Sequence, residues 1–202
     1  EGNNRFVRHA LGIADIVDHT AFADMVREQE PFAVILGCSD SRVPAQMVFD
    51  AALGDLFVIR VAGNIASESQ VGSIEYATAH LGTPLVVVLG HSHCGAVTAT
   101  LDALEGASDA ESKNLAAIIE YIRPSVEPLV GAAAGNAGSA AGSGPEGREA
   151  LIAQAVRENV RYTVSELTRQ SDILGRLVRS GEVRIVGAEY WLETGKVEFF
   201  EG

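Results

Sequence analysis

Apolar residues in this chain fall into short unbroken runs separated by amphipathic stretches, and that alternation predicts the fold. Phe32-Ala33-Val34-Ile35-Leu36, the run from Leu56 to Ala62, and Leu85-Val86-Val87-Val88-Leu89 are rich in β-branched residues and bounded by Gly, Pro, Asn or Asp. Such runs read as strands buried on both faces. Between them, Val71, Ile74 and Ala77 recur at helical spacing inside 67–80, a segment closed by Gly82 and Pro84. Residues from about 4 to 30 also read as helices, with Ala21 to Val26 leading into the first strand. Gly95-Ala96-Val97 opens a helix, residues 111–122 form another that Pro124 should stop, and Ile152, Val156, Val160, Val164 and Leu167 mark a long one over 146–170. Val183 to Ala188 and Lys196 to Phe200 close the chain as two strands, with Gly195 supplying the turn. The expected class is α/β: a mostly parallel central sheet with right-handed crossovers, flanked by helices in three layers, and an antiparallel C-terminal edge strand. The Gly-, Ala- and Ser-rich stretch 131–147 is expected to be a flexible surface loop. Its alanines alone would favour a helix, but the interspersed glycines weaken that reading.

Composition narrows the picture. A chain of 202 residues, 47% hydrophobic but only 6% aromatic, builds its core from Val, Ile, Leu and Ala and fits one domain over 1–202. A net charge of -12 argues against nucleic acid and anionic membranes as partners. No apolar run approaches the ~20 residues that span a bilayer. Two cysteines cannot build a disulfide framework, and reduced thiols beside His and Asp suit the cytosol. The start Glu1-Gly2-Asn3-Asn4-Arg5-Phe6 shows no signal-peptide pattern, so a cytoplasmic location is expected.

Both cysteines follow predicted strands. Cys38 lies in Gly37-Cys38-Ser39-Asp40-Ser41-Arg42-Val43-Pro44, and Cys94 in Gly90-His91-Ser92-His93-Cys94-Gly95. The edge outside the carboxyl ends of parallel strands is where open α/β sheets place their chemistry. Two thiolates and one imidazole suit zinc, and Cys38, His91 and Cys94 would leave one tetrahedral position open. Asp40 either fills that position, closing the site, or turns onto Arg42 and leaves it to water. The bland alternative is a closed, inactive zinc staple, which a chain of this length does not need in order to fold. A redox pair is disfavoured because there is no Cys-x-x-Cys. His93 should face solvent, His80 should stabilise a helix end, and Arg60 in its strand could simply pair with an acid.

At these residues the chain closely resembles the β-class carbonic anhydrases. The match is Cys38-Ser39-Asp40-Ser41-Arg42-Val43-Pro44 with His91-Ser92-His93-Cys94-Gly95, supported by Asn4-Arg5-Phe6, Ser73-Ile74-Glu75-Tyr76-Ala77, Glu158-Asn159-Val160 and Val186-Gly187-Ala188 through Val197. The resemblance implies a zinc lyase, one Zn2+ per subunit, in which zinc-bound hydroxide attacks carbon dioxide to give bicarbonate and a proton. It implies Cys38, His91 and Cys94 as zinc ligands and Asp40 with Arg42 as a catalytic dyad. Gln29, Phe57, Tyr76 and the backbone N–H of Gly95 correspond to substrate contacts. In that family Gln29, Phe57 and Tyr76 come from the neighbouring subunit, which implies a homodimer, often doubled to a homotetramer. On the bare sequence Gln29 would be a solvated helix-end residue, and Phe57 and Tyr76 ordinary core. The allosteric branch carries a tryptophan where this chain has Ile35, so the non-allosteric, open form is expected, even though Arg60 matches a basic residue of the allosteric pocket. Ala62 stands where the family usually has valine. Two competing readings are hydrolysis of carbon disulfide or carbonyl sulfide on the same scaffold, and a non-catalytic zinc protein serving as an assembly component.

Overall fold

The computed structural model describes residues 1–8, 29–107, 110–135 and 144–200. In chain order the elements are α1 (Gly2–Arg8), β1 (Ala33–Gly37), α2 (Ala45–Phe49), β2 (Leu56–Arg60), a 3-10 turn (Ala62–Asn64) and α3 (Glu68–Ala79). Then follow β3 (Leu85–His91), α4 (Gly95–Leu104), α5 (Lys113–Gly135), α6 (Pro145–Gln170), α7 (Asp172–Ser180), β4 (Arg184–Tyr190) and β5 (Val197–Phe200). The strands form one sheet in the order β2-β1-β3-β4-β5. β1 pairs parallel with β2 and β3, and β3 parallel with β4, while β5 runs antiparallel to β4. This is the expected architecture.

The unbroken apolar runs follow from burial on both sides of the sheet. Successive side chains of a strand point to opposite faces. Val34 and Leu36 of β1, with Val86 and Val88 of β3, pack against Ile74 of α3, Val160 and Leu167 of α6 and Leu174 of α7. Ala33, Ile35, Val87 and Leu89 point the other way, onto Val48 of α2 and Tyr190 of β4, with Phe6 of α1 at the margin. A third cluster lies at the carboxyl end of the sheet, where Cys38 and Cys94 pack with Val97 and Leu101 of α4, Ile122 and Val126 of α5 and Val156 of α6.

Several expected boundaries are corrected. Pro124 does not stop a helix: α5 runs through Pro124 and Pro128 to Gly135. A proline inside a helix forfeits one backbone bond and crowds the preceding turn. Here Ile122 and Val126, on either side of Pro124, are both 0% exposed, and their burial outweighs that loss. The stretch 131–147 is therefore helical at both ends, in α5 and from Pro145 onward, and its middle, 136–143, lies outside the described residues. Of the helices expected over 4–30, the part through Arg8 belongs to α1, and 9–28 lie outside the described residues. The second strand ends at Arg60, with the 3-10 turn beginning at Ala62, and β4 continues to Tyr190. Two helices, α2 and α7, were not anticipated. The signals for α7 are present: Ser171 Oγ accepts from Leu174 N–H at 3.0 Å as an N-cap, and Gly181 ends the helix at φ 78°. Among the described residues no helix is long and apolar enough to cross a membrane.

Candidate metal centre

β1 and β3 are adjacent and parallel, with Gly37 paired to Leu89, so both chains leave the sheet at the same edge. Cys38 is the first residue beyond β1, and His91 ends β3. Ser92 and His93 make the turn that follows, with His93 in the left-handed region at φ 55°. Cys94 then serves as N-cap residue of α4. Strand pairing and one tight turn thus bring three donors together: the ligand atoms of Cys38, His91 and Cys94 all lie within 4.8 Å of one another, and all three residues are buried.

The donor set fits a metal. His91 Nδ1 lies 2.8 Å from the Ser92 carbonyl oxygen, an acceptor, so Nδ1 carries the proton and Nε2 keeps its lone pair. That Nε2 is fully buried and has no hydrogen-bond partner, a costly arrangement unless something else accepts the lone pair. The sulfurs tell the same story. The Cys94 thiol against it, helped by the Gly63 N–H, holds Cys38 well below the usual thiol range despite burial. The Cys38 sulfur and burial push Cys94 up in turn, because two adjacent thiolates repel. A dication removes that conflict and lets both sulfurs ionise.

Asp40 faces this cluster but is turned onto Arg42. Its Oδ1 accepts from Arg42 N–H and Nε at 2.9 Å each, and its Oδ2 accepts from Nη2 at 2.7 Å. The guanidinium holds the carboxyl well below the usual carboxylate range, against the opposing effect of burial. Oδ2 lies 3.9 Å from His91 Nε2. Arg60, from the end of β2, donates to the Cys38 carbonyl at 3.1 Å and to the Asp40 carbonyl at 2.6 Å. It clamps backbone, where pairing with an acid was a possible reading of the bare sequence.

The remaining expected site residues divide. Gly95 opens α4 in open space, with the first N–H groups of that helix lacking intrahelical partners. Phe57 and Tyr76 meet as a tilted aromatic pair, with ring centroids 6.3 Å apart, and Tyr76 is 48% exposed, so it is not ordinary core. Phe57 packs against the cluster around Val34, not the one that holds Cys38 and Cys94. Gln29 is exposed just ahead of β1. His93 is also exposed, with Nε2 2.6 Å from Glu193 Oε1. His80 follows the last turn of α3, its ring 5.4 Å from that of Tyr76.

Sequence reasoning missed one residue that touches this centre and one behind it: Gly63, whose N–H donates to Cys38 Sγ at 3.4 Å, and Asn159, whose Nδ2 donates to the Gly63 carbonyl at 2.8 Å. A signal for Asn159 was available, since it is a polar residue beside Val156 and Val160 on the apolar face of a long helix.

Comparison with known proteins agrees with this geometry. The family model described as carbonic anhydrase matches residues 33–197. A carbonic anhydrase of Mycolicibacterium smegmatis is 37% identical over 199 residues, covering 98% of this chain and 88% of the relative. The Coccomyxa β-carbonic anhydrase, solved with acetazolamide, superposes with a TM-score of 0.72 at 26% identity, over 91% of this chain and 78% of that one. Tetrameric β-carbonic anhydrases of Sordaria macrospora share the fold, with a TM-score of 0.76 at 20% identity over 90% and 87% of the two chains. A matched family model spanning most of the chain, a relative matched almost end to end and a common fold lead to one conclusion: the chain belongs to the β-carbonic anhydrase family of zinc lyases.

Proposed function

We propose that this protein catalyses the reversible hydration of carbon dioxide to bicarbonate and a proton, with Cys38, His91 and Cys94 holding one zinc and the Asp40–Arg42 pair orienting the attacking water. The observation that carries the proposal is the buried, partnerless Nε2 of His91 beside two sulfurs, with a deprotonated carboxylate facing it. Zinc at this position would supply Lewis acidity, moderated by two thiolates relative to a three-imidazole site, so that water becomes nucleophilic somewhat above neutral pH.

The chain's own residues supply orientation. Asp40, held as a carboxylate by Arg42, only accepts hydrogen bonds; a water donating to Oδ2 has its remaining lone pair directed away from the carboxylate, toward substrate. Arg60 fixes the backbone from which Cys38 and Asp40 project. The bidentate pairing of Asp40 with Arg42, together with Ile35 in place of tryptophan, supports the open, non-allosteric form. Gly95 N–H, and Gln29, Phe57 and Tyr76 of a neighbouring subunit, complete the substrate pocket. An apolar wall suits carbon dioxide, which has no net dipole. The half-exposed Tyr76 lying against Phe57 supports a homodimer in which this pair reaches the other copy's site, with a tetramer built from two such dimers. We assign the whole chain to one domain working in the cytoplasm, where its two thiols stay reduced.

The test is zinc content together with carbon dioxide hydration followed from pH 7 to 9. One zinc per chain and a rate that rises with pH are expected. Zinc-loaded protein without hydration activity across that range refutes the proposal, and release of hydrogen sulfide from carbon disulfide in its place would redirect it.

A further inference from the structure

The Cys38 sulfur receives a hydrogen bond from the N–H of Gly63, and the carbonyl of that same residue, in the next peptide unit, is held by a buried side chain. The donor is Gly63, in the 3-10 turn after β2, at 3.4 Å from Sγ. The turn is pinned at its start, where Val61 N–H donates to the Gly37 carbonyl at 3.1 Å, and across itself, where Asn64 N–H donates to the Val61 carbonyl at 3.1 Å. Its apex is fixed by Asn159 of α6, whose Nδ2 donates to the Gly63 carbonyl at 2.8 Å. Asn159 is 1% exposed, and its Oδ1 lies 3.5 Å from the Ser125 hydroxyl, which donates its proton to the Ile122 carbonyl at 2.6 Å, so the bond to Gly63 is the one that orients the amide.

Gly63 itself has no freedom to be anything else. Its φ is +71°, and a Cβ there would sit 2.6 Å from Ile122 Cδ1 and 3.3 Å from Ala96 Cβ. The close approach of α4 and α5 forces the turn against the sulfur, and Asn159 sets its tilt.

We propose that Asn159 is a positioning residue for the metal centre: through Gly63 it aims a peptide N–H at the Cys38 sulfur and so sets how much charge that sulfur donates to the bound ion. The inference rests on the metal reading of the Cys38, His91 and Cys94 cluster. An N–H donor on a thiolate withdraws electron density from it, and groups behind metal ligands commonly govern affinity by 10–100-fold.

The test uses cobalt- and cadmium-loaded full-length protein. In the wild type loaded with 113Cd, the Gly63 amide proton should show scalar coupling to the metal through the sulfur; a resolved Gly63 amide without coupling overturns the N–H···S link. In the cobalt form, Asn159→Ala should move the sulfur-to-cobalt charge-transfer band to longer wavelength and weaken metal binding by about 10-fold or more. Thr163→Ala, at a buried position one turn further along α6, is the matched control and should leave the band in place. Weaker binding with an unmoved band, or equal shifts in both variants, reduces Asn159 to a packing role and overturns the proposal. Should Asn159→Ala not fold, Asn159→Ser makes the same comparison, and the wild-type coupling decides the Gly63 link without any variant. Failure of wild-type protein to take up either metal would instead sink the metal reading itself.

Discussion

At the scale of single residues, the site separates holding a metal from using it. Cys94 is a donor in the cluster, whereas Asp40 spends both oxygens on Arg42. Asp40→Ala should therefore keep its zinc yet lose on the order of 100-fold in kcat, because an unoriented water attacks from the wrong geometry. Cys94→Ser should lose both metal and activity. Metal analysis alongside steady-state kinetics distinguishes the two, and an Asp40→Ala enzyme with full activity would remove the dyad from the mechanism. These residues were legible in the sequence because each motif is local: a strand end, a donor and its neighbours within a few positions. Asn159 stands out in the sequence only as a polar residue on an apolar helix face; its partner was not legible, since its bond to Gly63 joins residues 96 positions apart and depends on how α6 crosses the sheet edge. The clamp made by Arg60 was out of reach for a related reason, because its acceptors are backbone carbonyls and carry no signature in residue type.

At the scale of elements, periodicity located every strand and the helices α3, α4 and α6, because both sheet faces are covered and the pattern had one solution. It failed for α5, where local proline chemistry pointed to a stop and tertiary burial of Ile122 and Val126 prevailed. The last turn of α6 offers an electrostatic test away from the metal. Glu166 is 6% exposed; its Oε1 accepts from Arg169 Nε at 2.5 Å and its Oε2 from Gln170 Nε2 at 2.9 Å. The Arg169 hydrogen bonds hold its carboxyl below the usual range against the opposing effect of burial. A carboxyl that binds its proton more weakly when folded stabilises the fold above its unfolded pKa of about 4.3, and that contribution disappears as acid protonates it. Glu166→Gln should thus cost up to about 1 kcal/mol at pH 7, discounted because Arg169 is exposed, and the gap from wild type should close as pH falls below about 4. Urea unfolding at several pH values measures it, and a gap independent of pH would place the cost in packing.

At the scale of the whole molecule, the candidate metal centre ties β1, β3 and α4 at one edge of the sheet, so its occupancy should be felt globally. An ion bound only by the folded chain stabilises it in proportion to the logarithm of its concentration over Kd. Stripping zinc with a chelator should lower Tm by several degrees, and returning equimolar zinc should restore it. A melting curve indifferent to chelation would mean that the fold carries the site without depending on it. The sheet has one further consequence. Among the described residues no further strand pairs with β2 or β5, although the Asn3 side chain of α1 accepts from Val197 N–H at 2.8 Å, so the two edge strands keep backbone donors and acceptors open to other chains. A net charge of -12 opposes contact between such edges of separate molecules, and that repulsion fades toward the isoelectric point near 4.8. Acid should therefore favour edge-to-edge association between folded copies as the net charge is lost.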